Sequence, residues 1–88
     1  MAFFLYMVRC SDNSLYTGIT NDIDQRVEAH NEGRGAKYTS SRGPVVLVYE
    51  EQCRTRSAAL KREIQIKGWT KARKEALIAR GSGRDRYV

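Results

Sequence analysis

Phe3-Phe4-Leu5-Tyr6-Met7-Val8-Arg9-Cys10-Ser11-Asp12-Asn13-Ser14-Leu15-Tyr16-Thr17-Gly18-Ile19-Thr20 is an apolar run, a cluster of turn formers and a second apolar run. Phe3 to Cys10 is rich in aromatic and large or β-branched residues, the composition of a buried strand. Ser11 to Ser14 is a turn signal, and Leu15 to Thr20 reads as a second strand, so the two form a hairpin. In a hairpin Tyr6 and Tyr16 can stand near each other, although the register is open at this level.

Working outward, Thr20 or Asn21 can cap a helix running to about Asn31, with Asp22 and Asp24 in its first turn suited to the dipole. Ile23 and Val27 form its apolar stripe and Gly33 is a natural stop. Residues 33–44 are polar, basic and glycine-rich, the composition of a surface loop. Val45 to Glu50 reads as a third strand. Thr55 or Ser57 can cap a helix to about Lys67, with Ala59, Leu60 and Ile64 on its buried side and Gly68 as breaker. Thr70 can cap a last helix, Lys71 to Arg80, with Leu77 and Ile78 inward and Gly81 at its end. The chain is therefore α/β, of the α+β kind. A three-stranded, largely antiparallel sheet is flanked by helices in the order β-β-α-β-α-α. Residues 1–81 form one domain and 82–88 a C-terminal tail without clear pattern.

The 88 residues support one modest core, and no stretch approaches the roughly 18 apolar residues that span a bilayer. The apolar start lacks a basic leader and a small-residue cleavage site, so a cytoplasmic location without a membrane association is expected. Cys10 and Cys53 have no metal-ligand spacing and His30 is the only histidine, which argues strongly against structural zinc. Both thiols are expected to be reduced. The net charge of +6 is unevenly placed: residues 1–53 carry five basic and seven acidic side chains, residues 54–88 eleven and three. That asymmetry suits a polyanion, most commonly nucleic acid, although a solvated helix face has the same composition.

Four residue types with phosphoryl chemistry lie at ordered spacings. Tyr6 and Tyr16 are ten residues apart, and Arg26 and His30 follow ten and fourteen residues after Tyr16. Cleaving a phosphodiester needs an activated water and neutralisation of the developing phosphorane charge. A phenol is a base only if it can lose its proton well below about 10. Arg26 offers a planar fork of donors suited to phosphate oxygens, or an ordinary surface pair with Asp22. His30 can orient a tyrosine or share its proton, or interact with a helix C-terminus. Glu63 is a lone carboxylate amid Lys61-Arg62 and Lys67, which by itself reads as a surface salt bridge to Lys67. Gly18 allows close backbone approach, or marks a strand-end bulge. Arg34, Lys37 and Arg42 on the loop, and Arg62, Lys67, Lys71, Arg73 and Lys74 on the late helices, are candidate phosphate contacts. Trp69 is read as a packed hinge.

Phe4-Leu5-Tyr6 and Tyr16-Thr17-Gly18, with Arg26, His30 and Glu63, resemble the GIY-YIG nuclease family. His30-Asn31-Glu32-Gly33, Gly35-Ala36, Thr39 and Arg42-Gly43-Pro44 are similar to its structure-specific endonuclease branch and to its small stand-alone bacterial members. Phe4-Leu5 departs from Gly-Ile, and an asparagine that many relatives carry after the metal-binding Glu is absent. The resemblance implies a metal-dependent endonuclease acting on DNA rather than RNA, structure- or single-strand-directed, in DNA repair or processing. It implies Tyr6, Tyr16, Arg26 and His30 as catalytic, with Tyr16 taken first as the base, and Thr17 and Gly18 as motif backbone. It implies Glu63 as the sole protein ligand of one Mg²⁺ or Mn²⁺. A nucleic-acid-binding module with little turnover is the alternative. A monomer or weak homodimer is expected, with substrate choice made by the module, an oligomer or a protein partner.

Overall fold

A computed structural model describes residues 2–81 and the backbone of residues 83–87. Strand β1 (Phe3–Arg9) lies between β2 (Leu15–Thr20) and β3 (Val46–Cys53), both antiparallel to it. Helix α1 (Ile23–Asn31) follows β2, a one-turn helix α2 (Lys37–Ser40) precedes β3, and α3 (Arg56–Lys67) and α4 (Lys71–Ala79) follow β3. The expected hairpin and element order are present.

Three expectations are corrected. Residues 83–87, read within a patternless tail, form a fourth strand β4 (Gly83–Tyr87), parallel to β3 at the sheet edge, so the sheet order is β2-β1-β3-β4. Ser82 and Val88 lie outside the described residues. An unpaired β3 edge offers backbone partners whatever the side chains, which is why a charged segment without strand composition can pair there. The loop 33–44 contains α2, a turn too short to show periodicity. The α1 cap is Asp22, whose carboxylate accepts from the Gln25 N–H, while Thr20 Oγ1 accepts from the Asp22 N–H one step earlier.

Alternation along β1 divides the core. Leu5 and Met7 face one side, with Tyr49, Cys53, Ala59, Ile66 and Leu77; Tyr6 and Val8 face the other, with Cys10 and Val45. A bulge between Met7 and Val8 lets β3 skip a residue, which turns Leu47 and Val45 to the Tyr6 side while Tyr49 stays on the other. Burial of β1 on both faces explains its unbroken apolar sequence. The carboxylate of Glu75 takes two 2.7 Å bonds from Arg9, a fork that ties α4 to the end of β1.

Helix α3 starts at Thr55, whose hydroxyl accepts from the Ala58 N–H. Its buried stripe contains Ala59 and Ile66; Ile64, expected inside, is 72% exposed. Ala59 and Ile66 are seven residues apart and therefore two turns apart on one face, whereas Ile64 points about 160° away from Ile66. Glu63, one turn after Ala59, shares the inward side, so its side chain is only 17% exposed. Ile66→Ala is accordingly expected to cost about 2–5 kcal/mol and Ile64→Ala within about 0.5 kcal/mol, measured by urea denaturation. Equal losses in the two variants would contradict the assignment of the α3 face.

Candidate active site

Tyr6 sits in the central strand directly opposite Gly18 in β2. A side chain at Gly18 would place a Cβ 2.6 Å from the Tyr6 hydroxyl, so the absence of one lets the phenol lie across β2. The bulge alternative for Gly18 does not hold, because pairing runs regularly through that position. Thr17 points to the opposite face and is buried. From its place over Gly18, the Tyr6 hydroxyl reaches His30 Nε2 at 2.7 Å.

His30 is 1% exposed, although it lies in the last turn of α1. The helix end is fixed by Asn31, whose side-chain amide accepts from the Val45 N–H at 2.6 Å and donates to its carbonyl at 3.2 Å. On its other side His30 Nδ1 lies 2.7 Å from Thr39 Oγ1. Gly35 makes room for the ring: a Cβ there would fall 2.3 Å from Nδ1. The Thr39 hydroxyl donates to the Ala36 carbonyl at 3.1 Å, so its oxygen accepts from Nδ1–H. The ring then presents a lone pair at Nε2, to which Tyr6 donates. A directed chain runs from Tyr6 through His30 and Thr39 to the backbone.

Burial lowers the His30 pKa below its usual 6.5, and the Arg26 charge lowers it further. Burial also pushes the Tyr6 phenol well above 10; Tyr16 and Glu63 add to this and Arg26 opposes it. Both groups are therefore neutral near pH 7. Tyr16, Arg26 and Glu63 thus all act electrostatically on Tyr6. Arg26 is half-buried and, among the described residues, makes no ion pair with Asp22, so its guanidinium is not committed to the surface pair.

Tyr16 packs edge-on to His30, with centroids 5.3 Å apart, and 6.5 Å from the Tyr6 ring. Tyr38, which sequence patterning placed only in a loop, stacks on it at 5.9 Å. The Lys67 ammonium lies 5.7 Å from the Tyr16 ring centre and pairs with Glu63 at 3.2 Å. The surface pair of Glu63 with Lys67 is thus formed, yet it stands beside Tyr16 rather than on open helix. Glu63 provides hard carboxylate oxygens, and the neighbouring ammonium shows that a cation is accommodated against them, so the donor set fits one Mg²⁺ that keeps most of its waters. Among the described residues no three His, Cys, Asp or Glu side chains gather into a cage.

This arrangement can be compared with known proteins. The family model "GIY-YIG catalytic domain" matches residues 2–76. The chain belongs to the GIY-YIG nuclease family. Within the family, a Staphylococcus aureus protein named UPF0213 protein is 57% identical over 75 residues, covering 85% of this chain and 92% of its own. The solution NMR structure of UPF0213 protein BH0048 from Bacillus halodurans is 37% identical, with a TM-score of 0.61, over 94% of this chain and 88% of that one. EF2693 from E. faecalis is 36% identical, with a TM-score of 0.62, over 90% and 84%. Membership in a nuclease family implies a nucleic-acid ligand. No helix among the described residues is long and apolar enough to cross a membrane.

Of the GIY-YIG site residues named from sequence, Tyr6, Tyr16, Arg26, His30 and Glu63 converge. Several of the named phosphate contacts also pair with carboxylates of the chain. Arg34 pairs with Glu32, Arg62 with the buried Glu51 at 3.0 Å, and Lys71 with Glu75 at 2.7 Å. Arg73 and Arg62 stand 4.3 and 5.4 Å from the Trp69 ring centre, and Trp69 packs against the core as a hinge should. Lys37 is exposed and Lys74 half-buried. Asn31 and Gly35 enter the site with no role expected from the sequence, and Tyr38 and Thr39, expected only among loop residues able to grip a phosphate backbone, instead touch Tyr16 and His30; no local pattern marks a hydroxyl that bonds a histidine nine residues away.

Because folded His30 resists protonation, the unfolded chain takes up its proton first as pH falls through about 6.5. Its contribution to stability is therefore complete above that value and lost below it, down to the folded-state pKa. Urea midpoints should drop between about pH 7.5 and about pH 5.5, and less so in His30→Asn. The same drop in both proteins would remove His30 as its cause.

Proposed function

We propose that the protein is a metal-dependent endonuclease that hydrolyses DNA phosphodiester bonds, directed by strand shape or single-strandedness, in DNA repair or processing. The observation that carries this reading is the directed hydrogen-bond chain Tyr6–His30–Thr39, beside Tyr16 and an uncommitted Arg26. A cytoplasmic location accords with it.

Tyr6 cannot wait as a phenolate, since burial holds its proton. What supports Tyr6 rather than Tyr16 as proton acceptor is the unprotonated Nε2 of His30, whose lone pair accepts from the Tyr6 hydroxyl. As Tyr6 oxygen takes a proton from the attacking water, its own proton passes to Nε2, and Thr39 keeps accepting from Nδ1–H. Hydroxide so formed attacks phosphorus, and the bond from phosphorus to the 3′ oxygen breaks opposite to it, the departing oxygen taking a proton from solvent. A 3′-hydroxyl and a 5′-phosphate are the expected products. Arg26 neutralises charge on the phosphorane oxygens with its fork of donors. Tyr16 walls the site and orients water against Tyr6. Glu63 would hold the Mg²⁺ or Mn²⁺ after exchanging its Lys67 partner. When bound, such an ion supplies Lewis-acid stabilisation of the phosphate.

The Glu63–Lys67 pair is also the one observation that favours the alternative, a DNA-binding module of the same fold with little turnover. The two are separated by a cleavage panel of labelled single-stranded, duplex and branched DNA, with Mg²⁺, Mn²⁺ or chelator. Cutting is expected to require metal, to disappear in Glu63→Ala and Arg26→Ala with folding intact, and to fall about 10²–10⁴-fold in Tyr6→Phe. Cleavage unchanged in both Glu63→Ala and Arg26→Ala would sink the proposal; metal-independent binding without product would favour the module.

A further inference from the structure

Helix α2 delivers Thr39 to His30 and Tyr38 to Tyr16, yet nothing local accounts for its place. It has four residues, and its N-cap, Ala36, makes no side-chain bond. An isolated turn of that length is not stable in water. Its anchorage comes from one residue beyond its end. The Arg42 guanidinium donates to the Tyr38 carbonyl at 2.8 Å, lies 4.1 Å from the centre of the Tyr38 ring, and reaches Asp12 Oδ2 at 3.2 Å. The Arg42 carbonyl accepts from the Ser11 N–H at 2.8 Å and from its hydroxyl at 3.0 Å. Asp12 is itself set by Ser14, whose N–H and hydroxyl donate to Oδ1 at 3.0 and 2.5 Å. Those Ser14 bonds, and then Arg42, hold its carboxyl below the usual range. The β1–β2 turn and the α2 segment are thus latched across thirty residues of sequence.

We propose that Arg42 is a positioning residue, the bolt that fixes α2 to the β1–β2 turn and so holds Thr39 on His30 and Tyr38 on Tyr16, rather than a phosphate contact. An exposed ion pair alone contributes little. Here one planar fork meets a carbonyl, a carboxylate and a ring at once, a set that the point charge of lysine cannot reproduce. Two of its five N–H donors are held by the Asp12 carboxylate and the Tyr38 carbonyl, which fix the direction of the fork, so re-aiming it at a phosphate would cost those bonds. The inference rests on the nuclease reading only for its kinetic consequences; the latch itself exists without substrate.

The test compares wild type with Arg42→Gln, Arg42→Lys, Asp12→Asn and the Arg42→Gln/Asp12→Asn double variant. NMR of the free proteins reads the exchange of the His30 Nδ1 proton and the ring shifts of Tyr38. Affinity for a fluorescein-labelled single-stranded oligodeoxynucleotide is followed against salt, and kcat and KM are measured on the DNA that wild type cuts best. As a bolt, Arg42→Gln and Asp12→Asn each accelerate exchange of the His30 proton. The double variant is no worse than the more affected single one, and Arg42→Lys does not rescue. In the kinetics kcat falls about tenfold or more with KM unchanged, since small misplacements of reacting groups are costly. The salt slope keeps its wild-type value. As a phosphate contact, Arg42→Gln would leave the His30 proton alone and flatten the salt slope by about 0.7–0.9, and Asp12→Asn would bind DNA more tightly by freeing the guanidinium. That result overturns the inference. Failure of wild type to bind or cut any DNA would instead count against the nuclease reading, and the NMR comparison would still decide the latch.

Discussion

A buried hydrogen-bond chain, from the Tyr6 hydroxyl through the His30 ring to Thr39, joins three elements that share no local sequence. Each of these polar groups is removed from water, so each must be bonded or cost roughly 1–3 kcal/mol. The chain therefore dictates how close the central strand, α1 and α2 must come. Gly18 and Gly35 answer that demand, since a single methyl group at either would overlap the phenol or the imidazole. Asn31 answers it from the other side by bonding both backbone groups of Val45. Site and fold are constrained by the same bonds.

The electrostatics follow from that burial. A dry setting with Arg26 nearby disfavours imidazolium, so His30 rests as an acceptor, and the same dryness keeps the phenol protonated. Neither group alone is a strong base near pH 7. Bonded in series they can move one proton inward while a second is taken from water. The proton stays within the chain, and Arg26 remains available to an anion.

Part of the strong positive excess after residue 53 is paired within the fold. Arg62 neutralises Glu51, one of the carboxylates the sheet buries, and opposes the rise of the Tyr49 phenol, which burial and then Glu51 push up to about 12. Arg62 and Arg73 also flank Trp69 at the hinge between α3 and α4. Positive charge in this chain builds the fold before it meets a ligand, which a count of lysines and arginines does not reveal.

By itself the sequence determined the main elements and the family. The unbroken apolar run around Tyr6, the turn formers at Ser11–Ser14 and the caps at Thr55 and Thr70 are local signals, each acting through its own few residues. The motif residues around Tyr6 and Tyr16, with Arg26, His30 and Glu63 behind them, pointed to the family that the match over residues 2–76 shows. Only the tertiary structure decided which atoms meet. That His30 bonds Tyr6 with one nitrogen and Thr39 with the other depends on the packing of α1 over the sheet. The choice of Ile66 over Ile64 for the core depends on a rotation of α3 that weak amphipathicity leaves open. The placement of α2 and of β4 rests on backbone and side-chain partners distant in sequence, and pairings of that kind carry no periodic signature because each is made once, between residues that only folding brings together.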